Sequence, residues 1–216
     1  MKISIAEIIS LLHTADHATL ATQSLQLRGY PYATVVPCVV DEMHRPIFLV
    51  SQLAEHTKNL LADARTSLSV MRAEGNAQTT ARLTLLGDTE RLEPSPEMIA
   101  RYLRYHPDAE QYLALDFTFF RMQPQRVRFI GGIGRMGWLE SEYWCGSPGI
   151  PLAEEAFLLQ DLAKNLHGEI RLLGVDCHGV DYTVNGHRAR SDFNTPASSA
   201  EEIGTLAAEL LTGLAQ

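Results

Sequence analysis

The sequence predicts an α+β protein: an antiparallel β-barrel followed by a small helix-hairpin-helix unit. Three observations carry this. About six or seven short apolar or β-branched stretches lie before residue 145, and only two further helical patterns intervene among them. A cluster of turn formers, CGSPGIP at 145–151, then separates them from the rest of the chain. A doubly wound parallel sheet would need a helix after nearly every strand, which this order does not offer. With 45% hydrophobic and 20% charged residues, 216 positions suffice to bury one large core, or a main core and a small one.

The elements follow in order. Ile5, Ile8, Ile9 and Leu12 have helical spacing, and Glu7 interrupts what would have to be the apolar heart of a leader peptide. HATLATQ (17–23) and YATVVPCVV (32–40) read as a hairpin across Arg28-Gly29. Pro37 cannot donate a ladder hydrogen bond, so its strand should be an edge or be bulged there. Asp41 to Arg45 turns the chain into PIFLVS, and a short helix carrying His56, Thr57 and Lys58 leads to a third strand ending at Val70. ARLTLLGDTERLEP from Ala81 is a further strand or pair of strands. Ser95-Pro96-Glu97 opens a helix, with an N-cap residue before a proline, and the helix stops before Pro107. DFTFFRMQ and QRVRFIGG read as two strands joined near Gln123-Pro124, and WLESEYW is a candidate for one more. Beyond the boundary comes a helix from about Leu152 to Leu166, then VDYTV and HRARSDF, a hairpin turned by Asn185-Gly186. The capping box Ser199-x-x-Glu202 starts a last helix expected to bury Ile203, Leu206, Leu210 and Leu214. The domains expected are 1–146 and 151–216.

Composition excludes several functions. A formal charge of −8 without a Lys/Arg cluster argues against nucleic acid. No segment approaches a membrane span, and Cys38, Cys145 and Cys177 lack C-x-x-C spacing, so neither a disulfide framework nor a zinc site is indicated and a cytoplasmic protein is expected. No Ser-His-Asp, Cys-His or paired-carboxylate set can be assembled, so any chemistry would be a cofactor's. His13 and His17 are four apart, but His17 reads as strand and no carboxylate or cysteine near them in sequence completes a set; no metal is expected. Gly132-x-Gly134-x-x-Gly137 lacks the βαβ context of a dinucleotide fingerprint.

Two motifs carry a resemblance: SxLAxHTxNLLAD at Ser51 to Asp63, and HPDAExYLxLDFxFFRxxPxxxRFIGGIGR at His106 to Arg135. They resemble the pyridoxamine 5′-phosphate oxidase-like split barrels, FMN-binding homodimers, and within them the HugZ-type subfamily, whose described members bind or degrade heme. The likeness runs from about His17 to about Glu140, with a weaker one to the subfamily's small C-terminal domain over Gly174 to Leu211. It implies an antiparallel split β-barrel, FMN and heme as ligands, and ligand clefts at a homodimer interface.

The resemblance also nominates residues. A flavin phosphate needs cations, hydroxyl donors and preferably a helix N-terminus. Ser51, Thr57 and Lys58 match the family's phosphate positions, although from residue types alone a local cap and a solvated lysine would be the commoner explanation. His56 lies in the same motif, where capping or packing is its usual role. Arg72 is a second phosphate candidate and equally an exposed strand-end arginine. Thr34, Val36 and Pro37 would line the isoalloxazine ring, while core packing also explains Val36. Arg135 is a partner for a heme propionate or flavin phosphate, or else a surface arginine at a bend. Two departures stand out: heme-degrading members carry an iron-ligating histidine in a tail after the second domain, whereas the last histidine here is His187, and LAKNLHGEI with His167 replaces an H-M-N-x-D-H-like motif. The resulting readings are an FMN-dependent oxidoreductase acting on heme, or a non-enzymatic heme-binding or tetrapyrrole-pathway regulator without flavin. Pyridoxamine phosphate oxidation comes third, for want of its C-terminal substrate motif.

Overall fold

The computed structural model describes residues 4–71, 80–132, 134–140, 149–164, 166 and 170–214. Helix α1 (Ile5–Thr14) buries Ile8, Ile9, Leu11 and Leu12 against Leu20, Leu68, Leu85 and Phe120 of the sheet, which is why its apolar residues recur at helical spacing. His17 lies outside it and opens β1 (His17–Gln23), whose alternating pattern buries Ala18, Leu20 and Thr22. β2 (Pro31–Pro37) and β3 (Val39–Val40) are two halves of one extended segment, interrupted at Cys38. β4 (Pro46–Ser51), β5 (Arg65–Met71), β6 (Arg82–Leu92), β7 (Phe117–Ile130) and β8 (Met136–Glu140) complete the main sheet.

All pairings are antiparallel, in the order β2-β1-β5-β6-β7-β4-β3, with β8 on the second half of β7. The first and last strands of that order belong to the same segment, 31–40, so the sheet curls back toward its own start, as the barrel reading expects. Pro37 ends β2 at the interruption, where the missing donor costs nothing.

One expectation is corrected in β7. The stretches joined near Gln123-Pro124 form a single strand of 14 residues. Proline is tolerated there because the register with β6 shifts between Leu86 and Gly87, opposite Pro124. A Cβ on Gly87 would lie 2.1 Å from the Gln123 carbonyl oxygen, so only glycine fits the bulge.

α2 (Glu55–Ala62) follows β4, and α3 (Pro96–Tyr105) starts as expected, with Ser95 Oγ accepting from Met98 N at 3.2 Å. A 3₁₀ turn, Pro107–Tyr112, follows it. The C-terminal part comprises α4 (Leu152–Ala163), β9 (Arg171–Asp176), β10 (Gly179–Val184), β11 (His187–Asp192) and α5 (Ala200–Leu214). The Asn185-Gly186 turn has φ of 52° and 78°, as a tight hairpin requires, but β9 adds a third strand that the hairpin reading missed. In α5 the buried face is Ile203, Ala207 and Leu211, not the Leu206–Leu210–Leu214 line; Leu214 is exposed. Glu202 N donates to Ser199 Oγ as a capping box requires, whereas the Glu202 carboxylate reaches back to Ser198. No helix among the described residues is long and apolar enough to cross a membrane. Cys38 and Cys177 are buried, and Cys145 lies outside the described residues.

The C-terminal strands have a core of their own around Val175, Val180, Ile203 and Leu211, while Leu173 of β9 joins Val39, Ile47, Tyr102 and Phe119 of the barrel. Buried charge ties the two together. Arg101 of α3 donates Nε to Val40 O at 2.8 Å and pairs through Nη1 with Glu155 of α4. Glu155 also accepts from Arg104 Nη2 at 2.8 Å and from Val175 N at 3.2 Å. Gly174 lets β9 approach this pair, since a Cβ there would lie 2.2 Å from Tyr105 Oη. Glu155→Ala would leave Arg101 charged, buried and unpaired, and should cost about 3 to 5 kcal/mol of unfolding free energy in urea denaturation.

Candidate functional site

The loop from Ser51 to Lys58 is built on itself. The Thr57 hydroxyl, fully buried, donates to Ser51 O at 2.6 Å; Ser51 Oγ accepts from Leu53 N at 3.2 Å and donates to Asp116 Oδ2 at 3.3 Å. Ala54, not Ser51, is the N-cap of α2. Both hydroxyls are thus spent locally, beside a carboxylate that opposes a phosphate, leaving exposed Lys58 and the helix N-terminus as the loop's offer to an anion. These residues fit a flavin phosphate poorly in this arrangement. Asn59, which the sequence reading passed over, is fully buried; it donates to Thr22 Oγ1 and accepts from Leu25 N, fixing α2 to β1. His56 is half-buried, which pushes its ring pKa down, and its Nε2 is buried without a hydrogen-bond partner.

The other nominated residues are dispersed. Thr34 is half-buried and Pro37 exposed on β2, while Val36 is buried in the barrel core with Leu20 and Phe48, so its side chain does not line a surface; Val35 is the exposed one. Arg135 follows the turn that contains Gly132 and Gly134, and its Nη2 is 2.5 and 2.6 Å from the Glu7 carboxylate oxygens, an ion pair that anchors α1. Arg72 and His167 lie outside the described residues. Beside the α2 start, an open depression of about 450 Å³ is lined by Ser24, Gln26, Leu27, Tyr30, Tyr32 and Glu55.

A second polar centre lies between α1, the β3–β4 turn and the C-terminal sheet. Asp41 Oδ1 accepts from Met43 N and Arg45 N, and its Oδ2 is 2.8 Å from Arg45 Nε. This turn holds His44 at φ 57°, an unusual conformation for a non-glycine residue, and points it at His13. His13 Nδ1 is 2.6 Å from Asp181 Oδ2, and its Nε2 is 2.9 Å from His44 Nδ1 and 3.4 Å from Asp176 Oδ2. Arg190 donates to Asp181 Oδ1 and Asp176 Oδ1, each at 2.8 Å, and Tyr105 Oη donates to Asp181 at 2.5 Å. Burial alone would raise both carboxyl groups; His13 and Arg190 instead hold them well below the usual range. Burial pushes His44 down to about 3.

Comparison with known proteins adds the lineage. Residues 7–145 match the family model described as CREG, beta-barrel. The chain belongs to the CREG β-barrel family. Its relatives include the noncanonical heme oxygenase HOZ, chloroplastic, of Arabidopsis thaliana, 35% identical with 96% of this chain and 72% of that protein covered. Among solved structures it is similar to a heme-binding protein from Mycobacterium smegmatis, at 28% identity and TM-score 0.63 over 99% of this chain and 98% of the other. It is also similar to Atu2129 of Agrobacterium tumefaciens, a protein of unknown function, at 25% identity and TM-score 0.73 over 94% of each chain. The family match bears out the split-barrel resemblance read from Ser51–Asp63 and His106–Arg135.

In this CREG-family chain, the His13 cluster is what the sequence reading missed. Neighbours in sequence do not show the set around His13, because its partners come from a turn 31 residues on and from the C-terminal sheet. The only local signal is a histidine, rather than glycine, in the tight DEMHR turn.

His106 gives a pH prediction. Its ring lies against Tyr102 with Nε2 3.3 Å from Cys38 O, and burial, reinforced by Arg188, lowers its pKa from 6.5 to about 4. The folded value is below the unfolded one, so this stability is present above 6.5 and lost as pH falls through about 4. His106→Gln should therefore recover up to about 2 kcal/mol of the acid loss, seen as a smaller drop in urea midpoint between about pH 7 and about pH 4.5; parallel curves would clear His106.

Proposed function

We propose that this protein binds heme as a homodimer and degrades it in the manner of the HugZ-type split barrels. The observation that carries the reading is the likeness to HOZ, a heme oxygenase, over 96% of this chain and 72% of that protein, supported by the likeness to a heme-binding protein over 99% of this chain and 98% of the other. The geometry supplies a surface of the right chemistry. Leu27, Tyr30 and Val35 are 58, 61 and 64% exposed around the β1–β2 hairpin, beside the depression at Glu55. A flat apolar ligand would gain its second wall from another copy of the chain covering that face.

Heme iron would need a ligand from this chain. Burial raises the Cys38 and Cys177 thiols to about 12 and about 11, which keeps them protonated and unsuited to ligation. His56, next in sequence to Glu55 of the depression, has an unpartnered Nε2 that a ring rotation would bring out to the surface, and it is the better candidate. Its partner groups would be Lys58 toward a propionate and the exposed apolar side chains toward the macrocycle. Flavin is the subordinate reading, since the hydroxyls of Ser51 and Thr57 are already engaged.

Hemin added to the purified protein should give a Soret band saturating at one equivalent per chain, with affinity at least tenfold lower in His56→Ala; no band in the parent protein sinks the heme reading. Addition of a reductant in air should then bleach the band. A band that persists favours a binding or regulatory protein over an oxygenase. For flavin, Lys58→Ala should weaken FMN binding about tenfold. No FMN binding by the parent protein, or none lost on substitution, removes the flavin.

A further inference from the structure

We propose that His13, His44 and Asp176 form a structural site for a divalent transition-metal ion of the Zn²⁺ class, which clasps α1 and the β3–β4 turn to the C-terminal sheet. The three residues offer two imidazole nitrogens and one carboxylate oxygen, all within 4.8 Å of one another. Ligands of a tetrahedral zinc stand roughly 3.3 to 3.6 Å apart, given bond lengths near 2.0 to 2.2 Å. The 3.4 Å between His13 Nε2 and Asp176 Oδ2 meets this, and the 2.9 Å to His44 Nδ1 needs only a small ring rotation.

The surroundings are those of a metal centre. The ionised Asp181 carboxylate at 2.6 Å assigns a proton to His13 Nδ1 and leaves the Nε2 lone pair facing the cluster, the carboxylate–histidine arrangement that orients metal ligands. Asp176 Oδ1 is saturated by Arg190 Nη2, His178 N and Gly179 N, while Oδ2, on a residue 6% exposed, accepts no hydrogen bond and faces the histidines. A cavity of about 10 Å³, room for about one water, touches His13 and Asp176, though not His44, together with the Arg101–Glu155 pair and Glu42, whose Oε2 is also buried without a partner. One water there would complete four-coordination. Arg190 pairs with Asp176, Asp181 and Asp192 and Arg101 also acts on Asp181, so a cation at the cluster would place its charge at Asp176 Oδ2, the carboxylate oxygen that accepts no hydrogen bond. Two imidazoles with one carboxylate favour zinc, cobalt or nickel over magnesium or calcium.

The test is metal content and competition. The full-length, heme-free chain, made without a histidine tag, is analysed by mass spectrometry for bound metals. It is then stripped and titrated with Zn²⁺ against a chromophoric chelator. One equivalent per chain is expected, with affinity reduced at least about 100-fold by His44→Gly and by Asp176→Asn and unchanged by His187→Ala on the exposed hairpin. His44→Gly suits the positive φ of that turn and should fold, so its loss of binding reports the ligand and not the fold. Co²⁺ in place of Zn²⁺ should give the intense visible bands of tetrahedral coordination. Stoichiometric binding absent from the parent protein, or binding indifferent to His44→Gly, overturns the site. Heme binding can fail without touching this result.

Discussion

Arg101 and Glu155 meet where almost no water reaches, and the relation between the barrel and everything after it hangs on that pair. Moving two charges out of water is costly, and their attraction repays the cost only if every remaining donor and acceptor is also answered. Here they are. Arg101 reaches the Val40 carbonyl, Glu155 takes a second arginine and a backbone amide of β9, and Arg104 caps Leu173 O. The network links α3, α4, β3 and β9 with directional bonds, so the C-terminal strands dock in one orientation and not merely against an apolar wall. Leu173 then inserts beside Tyr102 and Phe119.

That docking also assembles the second polar centre. It brings Asp176, Asp181 and Arg190 up to His13 at the end of α1, while the Asp41 turn delivers His44 from the other side. The segment 31–40 is the hinge of the arrangement, because its first half closes the sheet against β1 and its second half runs into that turn. On the far side of the same segment, Val35 and the hairpin residues face outward. The inward side chains of that segment, Val36, Cys38 and Val40, pack in the apolar barrel core, so the exposed surface around Val35 and the charged centre beyond Val40 are separated along the segment and not across it.

The loop after β4 shows how short-range geometry uses the hydroxyls of a motif. The sequence places hydroxyls and a lysine at a helix start, the parts of an anion site. In the fold, Thr57 is committed to the Ser51 carbonyl and Ser51 to Leu53 and Asp116, so those hydroxyls shape the loop. Short-range geometry satisfied them first, because a buried hydroxyl left unpaired is expensive.

Much of the fold was legible locally. Helical spacing marked α1, Ser95-Pro96 marked the start of α3, and Asn185-Gly186 marked a hairpin, since each of these signals is a backbone preference that acts over a few residues. The same logic misread Pro124 as a break, because only the partner strand reveals the bulge at Gly87 that accommodates a proline in mid-strand. It found Ile203 in α5 but continued the face through Leu206 and Leu210, which are half-buried, where Ala207 and Leu211 complete the buried line set by what the helix packs on. The motifs were enough to place the chain among split barrels. The gathering of His13, His44 and Asp176 belongs to the tertiary structure alone: no spacing rule links residues from a first helix, a turn and a C-terminal strand, and only the buried charges that lock those elements together bring their polar atoms within reach of one another.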